Sequence, residues 1–425
     1  MNALAQRAAR GAYSLLLRLL QPLYLLRLRR RGRVEPLYRH AIDERLGVYE
    51  GAPSSGWVWV HAVSLGETRA AAALIDALRA LRPGMRLLLT HGTATGREAG
   101  AESLREGDVQ AWLPYDTPAI AERFLKHFNP AIGVLMETEV WPNLLFAAQA
   151  RALPMVLANA RLSVKSHRQG QRLAALMRPA ARSLRLVLAQ TEADAARLRD
   201  AGAFNVQVSG NLKFDMSPEP ALVALGHVWQ AGLARDVVLA AVTREGEEAP
   251  LLAAWQQQSE PRPLLLIVPR HPQRFDEVAA LVTGAGLTLA RRSSWGDAPS
   301  VAAVQAQVWL GDSMREMALY YGVARVALLG GSFAPLGGQN LIEAASCGCP
   351  VVMGPHTFNF SEAAELSIAA GAAIRVADIG AAVQEALALL QQRARLEVGV
   401  KSALAFSGQH RGAAQRMARE IVALL

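Results

Sequence analysis

Short apolar runs alternate with amphipathic helical patterns along most of this chain of 425 residues. In the first half, such runs predict strands over residues 57–60, 86–90, 110–113, 131–135, 155–158, 185–189 and 206–209. In the second half, they predict strands over residues 237–241, 264–268, 308–310, 326–329 and 351–353. Strands that alternate with helices form mainly parallel sheets covered by helices on both faces. The chain is therefore predicted to be an α/β protein with two Rossmann-like domains that face each other across a cleft.

A stretch rich in proline and turn-forming residues, Asp215 to Pro220, separates the two halves. We predict a first domain over residues 35–215, a linker over residues 216–235 and a second domain over residues 236–395. Helices predicted over residues 396–425 have no strand to cover and are candidates to cross back to the first domain. The length fits this division, because a chain of this size is too long for a single hydrophobic core.

The amino terminus holds most of the chain's net charge of +9. Residues 1–34 contain eight arginines and no acidic residue, and their leucines are interrupted by Arg18 and Pro22. A spanning helix needs about 20 largely uncharged residues, so we predict instead a basic amphipathic anchor on an anionic membrane surface. A true membrane span and a helix packed within the protein or an oligomer remain the alternatives. Since basic and aromatic residues are not interleaved elsewhere, the charge does not indicate a nucleic-acid partner.

A glycine-rich segment, Gly330 to Glu343, follows the apolar run over residues 326–329 and leads into a helical pattern. A glycine turn between strand and helix lets backbone N–H groups approach an anion at the positive end of a helix dipole. Glu343 stands where a carboxylate can bind both hydroxyls of a ribose, so the segment predicts a nucleotide site. The alternative is structural, with Asn340 as the N-cap of the helix and Glu343 completing a capping box.

Polar side chains also follow predicted strands of the first domain. Glu67 opens a helix after the strand over residues 57–60, which suits a general base at the carboxyl edge of a sheet. The alternative is a carboxylate that only complements the helix dipole. Glu137 and Glu139 follow another strand, with one residue between them. We expect the two carboxylates to have different functions. Lys213 follows the last strand of this half, where the alternative is a solvated surface charge.

In the second domain, Arg270 and His271 directly follow a strand, where a guanidinium can bind a phosphate. Polar turns at residues 243–247 and 311–316 follow two other strands. The sequence contains no metal-ligand spacing and no nucleophile motif, and its two cysteines lack a second pair for a zinc site. We therefore expect reduced thiols in a cytosolic protein.

Eight motifs, spread in order over almost the whole chain, resemble those of the 3-deoxy-D-manno-octulosonic acid (Kdo) transferases of lipopolysaccharide synthesis. The motifs are HAVSLGE (61–67), METEVWPN (136–143), NARLS (159–163), GNLKFD (210–215), TREGEE (243–248), VPRHPQRF (268–275), GGSFAPLGGQNLIEA (330–344) and MGPHTFNF (353–360). The resemblance implies a GT-B fold and transfer of Kdo from a CMP-Kdo donor to a lipid A precursor, lipid IVA, with no metal ion and no other cofactor. It also implies a protein anchored at the cytoplasmic face of the bacterial inner membrane.

By position in these motifs, Glu67 corresponds to the family's proton acceptor, whereas Glu137 and Lys213 correspond to the pair that supports the transition state. The positions that correspond to the CMP-binding residues are Pro269, Arg270, Met314, Arg315, Glu316, Asn340, Leu341, Ile342 and Glu343. Attack by the acceptor hydroxyl opposite the leaving CMP inverts the anomeric centre, because the reaction requires no second nucleophile. The leaving phosphate needs positive charge, which Arg270, Lys213 and the helix N-terminus near Asn340 can supply.

The chain departs from the family's usual pattern at two places. Gln339 and Leu341 stand where the family commonly has histidine and proline, so a protonated imidazole is excluded there. Arg315 stands where glycine is usual, in the turn over residues 314–316. Two rival classes remain: another GT-B enzyme, such as a nucleotide-sugar 2-epimerase, and a catalytically silent membrane-associated binding protein.

Overall fold

The computed structural model describes residues 3–215 and 218–425, which divide into two compact units. The first unit contains the described residues up to Asp215 together with Arg411–Leu425, and the second unit contains Pro218 to His410. Each unit is built around one parallel sheet flanked by helices. The predicted α/β class with two Rossmann-like domains is therefore confirmed.

In the described residues of the first unit, the strands are β1 (Trp57–His61), β2 (Arg86–His91), β3 (Val109–Trp112), β4 (Ile132–Met136), β5 (Met155–Ala160), β6 (Leu186–Ala189) and β7 (Val206–Val208). Its helices are α1 (Ala3–Arg31), α2 (Leu65–Leu81), α3 (Ala94–Ala101), α4 (Pro118–Phe128), α5 (Pro142–Ala150), α6 (Val164–Arg172), α7 (Ala174–Arg182), α8 (Glu192–Asp200) and, from the carboxyl terminus, α18 (Ala413–Val422). Neighbouring strands pair in parallel in the order β3-β2-β1-β4-β5-β6-β7.

Both faces of this sheet are buried, which is why its strands read as continuous apolar runs. Successive residues of β1 face opposite ways. Trp57 and Trp59 belong to a core shared with α4 and α5, whereas Val58 and Val60 belong to a core shared with α2 and α18. The helix nearest the carboxyl terminus therefore completes the core of the first unit.

In the described residues of the second unit, the strands are β8 (Val237–Thr243), β9 (Leu264–Pro269), β10 (Leu289–Arg291), β11 (Val308–Leu310), β12 (Val326–Leu329), β13 (Val351–Met353) and β14 (Ala373–Arg375). Its helices are α9 (Pro220–Gly232), α10 (Glu248–Gln256), α11 (Phe275–Gly284), α12 (Val301–Gln305), α13 (Met317–Val323), α14 (Leu341–Ser346), α15 (Ser361–Ala369), α16 (Ile379–Gln391) and α17 (Arg393–Gln409). The strands pair in parallel in the order β10-β11-β9-β8-β12-β13-β14.

The strands predicted from the sequence are all present, with ends that differ by at most two residues. The prediction missed β10 and β14, the two edge strands of the second sheet. Each has three residues, most of them only partly buried, and pairs with a single neighbour. Strands this short and this exposed leave no apolar run by which a sequence pattern can reveal them.

The linker predicted over residues 216–235 is wrong for most of its length, because α9 occupies 220–232; residues 216 and 217 lie outside the described part. Pro220 is the first residue of α9, a position that suits proline, whose missing N–H would have no helical partner there. The helix packs closely on α13, since a Cβ on Gly226 would collide with Leu319 O, and Trp229 is buried. At the other end, α17 belongs to the second unit and only α18 joins the first unit.

The predicted amino-terminal anchor forms one helix, α1, that packs against the first unit along one face. Ser14 is buried and its hydroxyl donates to Asn143 Oδ1 at 3.1 Å, and the Tyr13 hydroxyl donates to Asp116 Oδ2 at 2.9 Å. Tyr115 donates to the carbonyl of residue 17 at 3.0 Å. On the other face, leucines are exposed at positions 15, 16, 19, 20, 23 and 26. Within residues 3–215 and 218–425, we find no helix with the length and apolarity that a membrane span requires.

The order of the strands marks one position in each sheet where ligands bind in folds of this kind. The chain winds outward in both directions from β1 and β4 in the first sheet and from β8 and β12 in the second sheet. The loops that follow such a pair diverge and leave a crevice at the carboxyl ends of the strands. Glu67 follows β1, Glu137 follows β4, and the glycine-rich segment follows β12, so the predicted functional residues lie at these crevices.

Candidate active site

Glu67 lies half-buried in the first turn of α2, at the carboxyl end of β1. Its Oε2 accepts a hydrogen bond from Val63 N–H at 2.8 Å, and its Oε1 accepts one from the Ser64 hydroxyl at 3.0 Å. The Ser64 side chain in turn accepts from Glu67 N–H at 3.4 Å, so Ser64 is the N-cap of α2 and the Glu67 carboxylate bonds back to the residues that precede the helix. Because a carboxylate has about four lone-pair sites, Glu67 keeps the capacity to accept a further hydrogen bond.

A second carboxylate, that of Glu137, increases the basicity of Glu67. Burial raises the pKa of Glu67 and the charge of Glu137 raises it further, while the hydrogen bonds from Val63 and Ser64 act in the opposite direction. Glu137 directly follows β4 and has a φ of 57°, in the left-handed region. Non-glycine residues held there store about 1–3 kcal/mol of strain and cluster at functional sites.

Glu139 joins the same cluster. Burial raises the pKa of Glu139 to about 7, and the charges of Glu67 and Glu137 add to this effect. Its Oε2 lies 3.9 Å from Nε2 of His61, a fully buried side chain whose pKa burial lowers to about 3. His61 Nδ1 lies 3.1 Å from Thr90 O, and since a carbonyl oxygen only accepts, this bond places the proton on Nδ1. The carboxyl of Glu139, which is about half protonated at pH 7, therefore faces the lone pair of a neutral imidazole.

Replacing Glu139 with glutamine is expected to stabilise the protein at pH 8 and not at pH 4. The pKa of this carboxyl rises from an ordinary 4.5 to about 7 on folding, so the wild type loses stability as the pH rises through that interval. The loss is complete above pH 7 and amounts to at most about 3 kcal/mol. Thermal unfolding of both proteins at the two pH values measures it, with Glu106→Gln, an exposed side chain, as the control. Equal stabilisation at both pH values would contradict the raised pKa.

Lys213 lies half-buried in the short 3-10 helix Leu212–Asp215. Burial lowers the pKa of Lys213, Glu137 and Glu67 raise it, and Arg161 lowers it. The structure thus brings the three predicted catalytic residues into electrostatic contact in the first unit. Arg161, which follows β5 in the NARLS motif, is an additional cation that the sequence analysis did not single out.

Three amide side chains hold the segment that contains Lys213. Asn159 Oδ1 accepts from Leu212 N–H, and Asn211 Oδ1 accepts from Lys213 N–H, both at 3.0 Å. Gln190 links them, because its Oε1 accepts from Asn211 Nδ2 at 3.1 Å and its Nε2 donates to Asn159 O at 2.9 Å. Asn159 is fully buried, with a φ of 52°. This network was not predicted, although Asn159 lies in the motif NARLS and Asn211 lies in the motif GNLKFD.

In the second unit, the glycine-rich segment forms the loop between β12 and α14. Gly331 has a φ of 69°, and its N–H donates to both carboxylate oxygens of Glu247, at 2.9 and 2.8 Å. Glu247 is buried and also accepts from Arg244 N–H at 2.8 Å. A Cβ on Gly330 would collide with Val242 O. Glu247 therefore fixes the loop to the end of β8, and the Gly331 N–H is engaged by this carboxylate rather than open to an anion.

Cationic side chains gather at the ends of β8 and β9. Burial lowers the pKa of His271, and the charges of Arg244, Arg270 and Arg274 lower it further, so these four side chains form one electropositive cluster. Arg274 is held by the buried carboxylate of Glu248, with N–O distances of 2.7 and 3.0 Å. Such a cluster suits a phosphate. Among the described residues, no group of His, Cys, Asp or Glu side chains is arranged to hold a metal ion.

The predicted nucleotide-binding turn after β11 contains Arg315 in a left-handed conformation, with a φ of 66°. This is the conformation that glycine adopts without a steric cost, which gives a physical reason for the glycine usual in the family. The carboxylate of Glu316 accepts from Arg292 Nη2 at 2.8 Å and from the Ser313 hydroxyl at 2.5 Å. These hydrogen bonds of Glu316 stabilise the turn, whereas the side chain of Met314 is exposed.

The remaining predicted nucleotide-binding positions lie at the ends of β9 and β12. Asn340 is the N-cap of α14, and its Oδ1 accepts from Ile342 N–H at 3.2 Å. Leu341 and Ile342 are each only 1% exposed, and Pro269 is also buried, so these three residues belong to the packed interior of the second unit. Glu343 is half-buried in the first turn of the helix. All the predicted CMP-binding positions thus belong to the second unit, whereas the predicted catalytic residues belong to the first unit.

Comparison with known proteins agrees with the motifs. The sequence profile of a family described as 3-deoxy-D-manno-octulosonic-acid transferase (kdotransferase) matches residues 40–216. A 3-deoxy-D-manno-octulosonic acid transferase from Bordetella pertussis is 48% identical over 96% of this chain and 97% of its own length. A protein of the same name from Haemophilus influenzae is 33% identical over 95% of this chain and 96% of its own length.

A solved structure supports the fold. A glycosyltransferase from Rickettsia africae superimposes with a TM-score of 0.58 over 86% of this chain and 99% of its own, at 12% identity. At that identity the likeness concerns the fold alone, whereas the identity to Kdo transferases extends over nearly the whole chain. That identity, and not the fold, distinguishes the family from the rival epimerase class, since a UDP-GlcNAc 2-epimerase from Neisseria meningitidis also superimposes with a TM-score of 0.55 over 87% of this chain and 99% of its own, at 17% identity. The chain belongs to the family of 3-deoxy-D-manno-octulosonic acid transferases, which are glycosyltransferases.

Proposed function

We propose that this protein transfers Kdo from CMP-Kdo to a sugar hydroxyl of the lipid A precursor lipid IVA, with inversion at the anomeric centre. The observation that carries the proposal is the position of Glu67, a half-buried carboxylate with a raised pKa at the crevice between β1 and β4. A sugar hydroxyl is a poor nucleophile until a base removes its proton during attack, which is the task of such a carboxylate.

Glu67 is the general base in this reaction. As the acceptor oxygen forms a bond to the anomeric carbon of Kdo, the O–H bond breaks and the proton passes to Glu67. The bond from that carbon to the CMP phosphate breaks at the same time, and its electron pair leaves with CMP. A single displacement of this kind inverts the anomeric centre. Lys213 and Glu137 support the transition state, and the pair of Lys213 and Arg161 offers positive charge for the carboxylate of Kdo.

The second unit binds the donor. Arg270 and Arg244, in the electropositive cluster, compensate the charge that develops on the CMP phosphate as the glycosidic bond breaks. Glu343, in the first turn of α14, binds the hydroxyls of the ribose. We propose that these side-chain cations act without a divalent metal ion.

The helix α1 holds the protein at the cytoplasmic face of the bacterial inner membrane. Its outer face presents a row of exposed leucines over positions 15–26, and arginines follow at positions 27, 29, 30 and 31. Exposed apolar rows beside basic residues are typical of helices that lie in the plane of a membrane surface. Cosedimentation with anionic vesicles that weakens as salt is added is the result expected for such an anchor.

Release of CMP tests the proposed donor and acceptor. With purified protein in EDTA, we expect CMP release that requires both CMP-Kdo and the lipid acceptor. Arg270→Ala is expected to raise the KM for CMP-Kdo about tenfold, the effect of one charged hydrogen bond. Arg393→Ala, on the exposed side of α17, is the matched control. Epimerisation of UDP-N-acetylglucosamine without any lipid acceptor would contradict the proposal and support a nucleotide-sugar epimerase.

A further inference from the structure

The first unit contains a cavity of about 330 Å³ that the mechanism does not use. Its walls are mainly apolar and include Val140, Leu157, Leu162, Met177, Leu184 and Leu198. Protein interiors are close-packed, so an apolar space of this size is unusual unless it is a binding site. Pockets for small ligands begin at about 300 Å³, so this space is large enough for a single slender group.

The cavity shares a wall with the carboxylate cluster. Thr138 and Val140 line the cavity, and they flank Glu139 in the loop after β4. Both carboxylates of this loop interact with Glu67, because the charge of Glu137 raises the pKa of Glu67 and the charge of Glu67 raises the pKa of Glu139. A group that occupies the cavity would therefore lie one loop away from the predicted catalytic base.

Helix α6 covers the cavity and is weakly attached. None of its residues is buried, although Ser166, Gly170 and Gln171 line the space. Its hydrogen bonds to α8 involve one carboxylate, that of Asp200 at the end of α8. Asp200 Oδ2 lies 2.8 Å from His167 Nε2 and accepts a hydrogen bond from Gln171 Nε2 at 3.3 Å. A helix with no buried residue can open locally at a low cost in free energy and so admit a ligand.

The outside of α6 is basic. Lys165, Arg168 and Arg172 are exposed, and the helix contains no acidic residue. Another wall of the cavity, α7, packs against α1, whose outer face presents the exposed leucines. A ligand that enters here would thus combine an apolar chain with anionic groups, and it would come from the side of the molecule that bears the proposed membrane helix.

We propose that this cavity binds one acyl chain of the phosphorylated glycolipid acceptor, while the basic residues of α6 interact with its phosphates. The proposal rests on the proposed function in taking the acceptor to be an acylated, phosphorylated disaccharide. An acyl chain fits the predominantly apolar walls, and two of the polar side chains that also line the space, His167 and Asp200, lie 2.8 Å apart and engage each other. Binding of the chain beside the loop that contains Glu137 and Glu139 positions the acceptor hydroxyl near Glu67.

Kinetics with two acceptors test this proposal on the full chain. Ala181→Trp fills the cavity from α7, and Met177→Phe is a milder second variant in case the first does not fold. Arg182→Trp, on the exposed side of the same helix, is the matched control. We expect the cavity variants to raise the KM for tetraacylated acceptor at least tenfold, with kcat/KM for the fully deacylated acceptor unchanged within twofold. An equal effect on both acceptors, or no effect on the acylated one, would overturn the proposal.

Binding of dodecanoate to the full chain, measured by calorimetry, tests whether the cavity binds an acyl chain and does not depend on turnover. We expect the wild type and Arg182→Trp to bind it and the cavity variants to bind it at least tenfold more weakly. If the wild type does not bind dodecanoate, or if the cavity variants bind it equally well, the cavity is not an acyl site. A lack of turnover in all proteins with both acceptors would instead contradict the proposed function, and the dodecanoate result would still distinguish the two failures.

Discussion

Replacing Glu67 with glutamine is expected to lower kcat for Kdo transfer by about 10²–10⁴-fold while the fold stays intact. The glutamine carbonyl can still accept the hydrogen bond from Val63 N–H that Glu67 Oε2 accepts at 2.8 Å. It cannot take a proton from the acceptor hydroxyl. Initial rates with saturating donor and acceptor measure the loss, and circular dichroism with thermal unfolding shows that α2 and the sheet remain folded.

Ser64→Ala separates the two roles of Glu67. This variant removes the hydroxyl that bonds Glu67 Oε1 and caps the helix, and it is expected to cost about 1 kcal/mol of stability. It leaves the carboxylate in place, so kcat should fall by less than tenfold. If Ser64→Ala were as inactive as Glu67→Gln, loss of the Ser64 hydroxyl and its helix cap, rather than loss of proton transfer to Glu67, would account for the inactivity. The pH profile gives a further check, because activity should be lost as the pH falls through the raised pKa of Glu67.

Removing Arg411–Leu425 is expected to destabilise the first unit severely and to abolish activity. Met417 and Ile421 of α18 are fully buried against the sheet and α2, and the burial of two such side chains stabilises a fold by about 3–6 kcal/mol. That is a large part of the 5–15 kcal/mol by which a typical domain is stable. The truncation also removes the Gly412 and Ala414 N–H groups that donate to the carboxylate of Asp215.

The loss of those two bonds connects the truncation to the catalytic cluster. Asp215 ends the short 3-10 helix that contains Lys213, and Arg416 of α18 also donates to Ser209 O at 3.1 Å. Hydrogen exchange is therefore expected to increase in β1, in α2 and around Lys213, while the second unit keeps its protection. Met417→Ala should cost about 2–5 kcal/mol and Gln415→Ala, on the exposed face of α18, less than about 0.5 kcal/mol. Unchanged exchange in β1 and α2 after truncation would contradict this account.

The central strands could be predicted because burial on both faces imposes a continuous apolar run, as in β1 and β12. The edge strands β10 and β14 could not, since a strand with one neighbour and partial exposure needs no such run. The helix α9 was not predicted, because Pro220 at its first position suits both a linker and the first turn of a helix. Its identity as a helix depends on packing of Gly226 and Trp229 against other elements of the second unit, such as α13, which no local pattern reveals.

The candidate site was likewise predictable only in part. Glu67, Glu137 and Lys213 could be found because each follows a strand of one parallel sheet, whose carboxyl ends share an edge. The support that holds them could not be found, because it depends on contacts between distant residues. Asn159 lies 53 positions from Leu212, to which it bonds, and Glu247 lies 84 positions from Gly331.

Incubation of the purified protein with CMP-Kdo and tetraacylated lipid A precursor, followed by mass spectrometry of the acceptor, tests the central proposal most directly. The wild type is expected to add the mass of one or more Kdo units, and Glu67→Gln is expected to add none in the same time. No gain with a folded wild type would contradict the transfer of Kdo to this acceptor. An equal gain with Glu67→Gln would contradict the assignment of Glu67 as the general base.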